Sequence, residues 1–149
     1  MAAARAETAR KTARQEAARI EAIREQARQE TAAGHTLRFN ALNVELVNGI
    51  LYAMTRAGSL NGERLPGSGV RLGPVQGASV RVTRLAARVA RAGVTAQMLF
   101  MASPSRKVPR ASITVTMGRD VFNLPLEGNG RIRRAIAAAE KLNVIAAGL

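Results

Sequence analysis

The side chains of this chain most able to do chemistry are cations, and they fall into three groups. Arg81, Arg84, Arg88 and Arg91 are spread over a strand end and its continuation. Arg106, Lys107 and Arg110 occupy a turn with two prolines. Arg131, Arg133 and Arg134 open a C-terminal helix. Guanidinium and ammonium groups bind oxyanions, above all phosphates and carboxylates. If the three groups converge, they form one phosphate-binding face. Arginines in a first helical turn oppose the helix dipole, which hints at an anion nearby. Aromatic interleaving is missing: the few aromatics, Tyr52, Phe39, Phe100 and Phe122, are needed for the core. Nucleic-acid contact would then be electrostatic and weakly sequence-specific. Anionic lipid would suit the same face.

Other chemistry finds little support. The one histidine, His35, follows a glycine that ends a helix. Glu45, Glu63, Asp120 and Glu127 are scattered, with no spacing suited to a metal or to paired acid/base work. Gly73-Pro74-Val75-Gln76-Gly77 is no phosphate loop, because no lysine and serine follow it. Gly67-Ser68-Gly69-Val70 is a loop and not a nucleophile elbow. There is no cysteine, so disulfides and thiolate metal sites are excluded. No enzyme and no cofactor is expected.

The charge is uneven along the chain. The 149 residues carry a net +13. Residues 1–34 hold seven basic and five acidic side chains, and residues 35–149 hold sixteen and five. Such a one-sided balance favours an anionic partner: an acidic protein surface, nucleic acid or anionic lipid. A bland alternative is that the arginines reflect a GC-rich genome and serve solubility. No run approaches the ~20 apolar residues of a membrane span, and no secretory leader is visible. The cytoplasm is the expected location.

These cations must be positioned by the elements around them. Ala2–Ala33 contains no Gly or Pro and is dominated by strong helix formers. Glu7–Lys11, Glu16–Arg19, Glu21–Arg24 and Glu25–Arg28 are spaced for ion pairs on a helix. The apolar stripe Ala9, Ala13, Ala17, Ile20, Ile23 and Ala27 is thin, and Gly34 ends the helix. Through this helix the chain could contact a partner or associate with itself. In 35–56, Asn48-Gly49 between two apolar runs marks a β-hairpin. Ala57–Gly69 reads as a long loop. Val70–Arg84 reads as a strand with Ala78, Val80 and Val82 on one face and Ser79, Arg81 and Thr83 on the other. Leu85–Gly93 fits either a helix or a continued strand. Val94–Ala102 reads as a strand and Ser103–Arg110 as a basic turn.

Ile113, Val115 and Met117 alternate with polar neighbours, as in a strand with one buried face. Gly118-Arg119-Asp120 turns the chain, Val121–Leu124 returns, and Pro125 stops it. The last helix runs from about Gly130 to Ala146, with Asn129 as N-cap. Its apolar stripe is Ile132, Ala135, Ile136, Ala139, Leu142 and Ile145.

The segment Gly73-Pro74-Val75-Gln76-Gly77-Ala78 is followed by strand residues Val80 and Val82 and then by Leu99-Phe100. A hairpin follows, and then a helix with Ile136, Ala139, Lys141 and Asn143. This series resembles small bacterial proteins with a pleckstrin-homology-like β-sandwich closed by a C-terminal helix. The resemblance covers roughly residues 36–146. It implies a binding or scaffolding module and assigns no ligand residue.

The expected fold is α+β. It comprises a charged helix (1–34), then a basic β domain (35–149) with an antiparallel sandwich or barrel of six or seven strands and a C-terminal helix on the sheet. The expected function is a non-enzymatic interaction or scaffold module with a basic face for an anionic partner. The alternatives are a structural component of a phage particle or similar assembly, and a sequence-nonspecific nucleic-acid binder.

Overall fold

The structure, a computed structural model, describes residues 2–32, 34, 36–89 and 107–148. His35, Arg91, Arg106 and the strand read over Val94–Ala102 lie outside the described residues, as do the side chains of Arg88 and Lys107.

Helix α1 spans Ala2–Ala32. Three of the four spaced pairs form: Arg19 with Glu16, Arg24 with Glu21 at 2.8 Å and Arg28 with Glu25 at 3.0 Å. Glu7 and Lys11 make no ion pair among the described residues. Gly34 turns the chain at φ +74°, and its N–H donates to the Thr31 carbonyl at 3.0 Å. Positive φ without strain is what glycine supplies at a helix end. Among the described residues, α1 meets the body through its C-terminal part, with ion pairs from Arg19 to Glu140 and from Glu30 to Lys141. Residues 2–19 are exposed, Ile20 and Ile23 are half-buried, and Ala27 is fully buried.

Nine strands follow among the described residues, in two antiparallel sheets and not in a closed barrel. They are β1 (Leu37–Phe39), β2 (Val44–Val47), β3 (Ile50–Ala53), β4 (Ser59–Leu60), β5 (Glu63–Arg64), β6 (Arg71–Pro74), β7 (Ser79–Val89), β8 (Lys107–Met117) and β9 (Asp120–Glu127). One sheet has the order β1-β2-β3-β6 and the other β5-β4-β9-β8-β7. Helix α2 (Asn129–Ala146) closes the chain.

The Asn48-Gly49 hairpin is present, with φ of 49° and 77°. Positive values at both central positions define the turn whose twist matches the strands. Asn61-Gly62 repeats it with 53° and 83°. Ala57–Gly69 is therefore not a structureless loop but carries the β4–β5 hairpin. Asn61 ties that hairpin to β9: its Oδ1 accepts the Val121 N–H at 2.8 Å and its Nδ2 donates to Asp120 at 2.9 Å. These two short strands raise the strand count above the expected six or seven.

Two prolines lie inside strands. Pro125 does not stop β9, which continues to Glu127. Val121 directs its N–H and its carbonyl toward Asn61 on the β4 side. Asn123 and Pro125 share that side by alternation. Pro125 thus points its missing donor past the end of β4, where no ladder bond is needed. Pro109 sits in β8, so Lys107–Arg110 is strand and not turn. Opposite Pro109 the register shifts: Leu85 pairs with Arg110 and Arg88 with Val108, leaving two β7 residues against one proline. A bulge is the usual answer to a missing donor in a sheet interior. Of Leu85–Gly93, residues 85–89 continue β7 as strand, and residues 90–93 lie outside the described residues.

Val70–Arg84 is not one strand. β6 ends at Pro74, the chain crosses between sheets, and β7 begins at Ser79. The core between the sheets and α2 centres on Leu42, Leu51, Ile113, Phe122, Ile132 and Leu142, all fully buried. The N-cap of α2 is Gly128, not Asn129, with no side-chain cap. Ile136 is 43% exposed and leaves the stripe, while Val144 and Ala146 join it. Asn143 fastens α2 to β7 like a short strand. Its Oδ1 accepts the Val80 N–H at 2.7 Å and its Nδ2 donates to the Val80 carbonyl at 2.9 Å. No helix among the described residues is long and apolar enough to cross a membrane.

Candidate anion-binding end

Pairing across the five-stranded sheet fixes where the β7 and β8 cations lie. Arg81 pairs with Thr114, which pairs with Asn123; Leu85 pairs with Arg110, which pairs with Glu127. These rows share the face that carries Ser112, Thr114 and Thr116, away from the core. Arg84 pairs with buried Ala111 and therefore belongs to the opposite face. Arg81 and Arg84 thus do not form a joint patch. Arg110 is half-buried in a cleft of about 300 Å³ with Arg64, Ser59, Ser112, Asn123 and Glu127.

The third group is better assembled. Arg131 and Arg134, three residues apart, share one face of α2. They line a cleft of about 410 Å³ with Asn40, Ala41, Asn43 and Leu126. Asn40 opens a 3-10 turn (Asn40–Leu42), and Asn43 ends it at φ 54°. Buried Leu42 pins this turn against the body, which holds the two amides opposite the two guanidiniums. None of these four polar side chains has a hydrogen-bond or ion-pair partner among the described residues, and no carboxylate lines the cleft. Arg133 is exposed and lies outside it.

Leu126 lines both clefts. Arg110, on one side of the β9 end, and Arg131 with Arg134, on the other, thus flank the junction between β9 and α2. The chemistry available is oxyanion binding: guanidiniums offer paired donors and carboxamides add more. Among the described residues no group of three His, Cys, Asp or Glu could hold a metal.

Asn40, Asn43 and Arg64 were not singled out in the sequence. Asn40-Ala41-Leu42-Asn43 does carry a turn signal between two alternating runs, and Arg64 follows the Asn-Gly pair of the second hairpin. A family model matching the chain was not found, and no curated protein or solved structure matches it.

Proposed function

We propose that the chain is a non-enzymatic interaction module that seats an anionic group of its partner at the β9–α2 junction. The observation that carries this reading is the cleft between Arg131, Arg134, Asn40 and Asn43, four polar side chains with no partner among the described residues. Unpaired guanidiniums beside amides suit phosphate or carboxylate oxygens. The excess of sixteen basic over five acidic residues in 35–149 would draw an anion toward this end. Two antiparallel sheets followed by one helix support a pleckstrin-homology-like module. The exposed α1 arm favours a second reading, a component of an assembly such as a phage particle, in which the arm makes lattice contacts.

Binding of a labelled DNA strand, a polyglutamate peptide and phosphatidylserine vesicles tests the reading. At least one should bind with an affinity that falls steeply with salt. Removing both cleft charges (R131Q with R134Q) should weaken that binding about tenfold and reduce the salt slope by roughly two. Arg81→Gln, on the sheet face, should change it little. Equal losses in both variants, or no binding to any probe, would overturn the assignment.

A further inference from the structure

The α1 arm carries a face that continues past the body. At about 100° per residue, Ile20, Ile23 and Ala27, which pack toward the body, lie on the same side of α1 as Arg5, Ala9, Thr12 and Glu16. A shallow groove runs along this free part, lined by Ala4, Arg5, Thr8, Ala9, Thr12, Ala13 and Glu16. Its two ends are opposite in charge, and only Ala and Thr lie between them. The threonine hydroxyls donate to carbonyls one turn back, Thr8 to Ala4 and Thr12 to Thr8, both at 2.9 Å. Their methyl groups are then free to face a neighbour. Glu7, Arg10, Lys11 and Arg14 lie on the opposite side by the same angular count, and Arg19, on the near side, is held by Glu16 and Glu140.

We infer that this face docks against the same face of a second copy, antiparallel, about a two-fold axis passing between Arg10 and Lys11. The argument is charge complementarity combined with continuity from the docked part of α1. In that register Arg5 meets Glu16 of the second copy, and the two-fold makes the contact twice. Thr8 meets Ala13 and Ala9 meets Thr12, so small residues oppose small residues and the axes can approach closely. Ala2 meets Arg19, so the exposed segment 2–19, ~27 Å long, overlaps its copy from end to end. The two bodies then lie at opposite ends of the paired arms. Arg5 has no ion-pair partner among the described residues of its own chain. Glu16 accepts from Arg19 through both carboxylate oxygens, and each oxygen keeps a lone-pair site for a further guanidinium. A parallel pairing would set Arg5 against Arg5 and Glu16 against Glu16. The arm has no tertiary packing of its own to hold it as a helix, and the pairing would supply it.

The test is sedimentation equilibrium of the full chain at low salt over a wide concentration range. Wild type should associate reversibly to a dimer. Arg5→Glu alone should weaken the dimer at least about tenfold, since two attractive contacts become repulsive. Glu16→Arg alone should do the same. An equimolar mixture of the two variants should recover dimer, because each of the two contacts then pairs a carboxylate with a guanidinium again. A wild type that stays monomeric at millimolar concentration, or a mixture no more associated than its components, overturns the inference. Neither substitution touches the Arg131–Arg134 cleft, so anion binding should be unchanged and the two readings fail independently.

Discussion

Asn143 shows how much one side chain can carry. It faces β7 from a helix and reproduces the donor and acceptor pattern of a neighbouring strand, closing both polar groups of Val80. Gly77 adds a bond from its N–H to the Ala146 carbonyl at 3.0 Å, so the start of β7 is sealed by the end of α2. Loss of the amide leaves a backbone donor and acceptor without partners in a half-buried place. Asn143→Ala should therefore destabilise by about 1–3 kcal/mol, read as a lower midpoint in urea with unchanged slope. This role was not legible in the sequence. An asparagine near a helix end reads as a cap or a solvated residue, and its partner is 63 positions away. The same blindness hid Asn61, whose hold on β9 spans 60 positions. Local turn chemistry was legible, by contrast, because Asn-Gly pairs act within four residues.

At the scale of elements, the apolar periods located the core strands and α2 but could not tell which edge of a wide stripe faces inward. Ile132 and Ile136 both satisfy helical spacing, four residues apart. The sheets cover only the side on which Ile132 and Ala135 lie, and Ile136 falls at the rim with nearly half its surface in solvent. Ile132→Ala should cost about 2–5 kcal/mol, whereas Ile136→Ala should cost well under ~1 kcal/mol. Chemical denaturation of both variants checks the contrast, and equal losses would place the helix face wrongly. The prolines taught the same lesson. Whether Pro109 and Pro125 break a strand depends on what lies beside them, a bulge in one case and an open edge in the other, and neither is written locally. The anion cleft was half legible: its arginines stand together in the sequence, but its amides belong to a turn some ninety residues earlier.

At the scale of the molecule, α1 divides into an arm and an anchor. The anchor reaches the core through Ala27 and is tied to α2 by Glu30 to Lys141 at 3.3 Å and by Arg19 to Glu140. The Glu140 hydrogen bond, with Glu16 second, raises the pKa of the Arg19 guanidinium and keeps it charged across the accessible pH range. Lys141 in turn lies 6.0 Å from the centre of the Phe39 ring. The arm, residues 2–18, adds nothing to the buried cluster. Removing residues 1–18 should therefore leave the unfolding free energy of the body within ~0.5 kcal/mol of wild type while abolishing self-association. Removing residues 1–33 strips Ile20, Ile23 and Ala27 from the body and leaves Glu140 and Lys141 without their partners. That truncation should cost roughly 2–4 kcal/mol, mostly from apolar area returned to water. Denaturation curves of the two truncations separate the cases. If the shorter deletion destabilises as much as the longer one, the arm is folded against the body in solution, and a helix with a free face is the wrong picture of it.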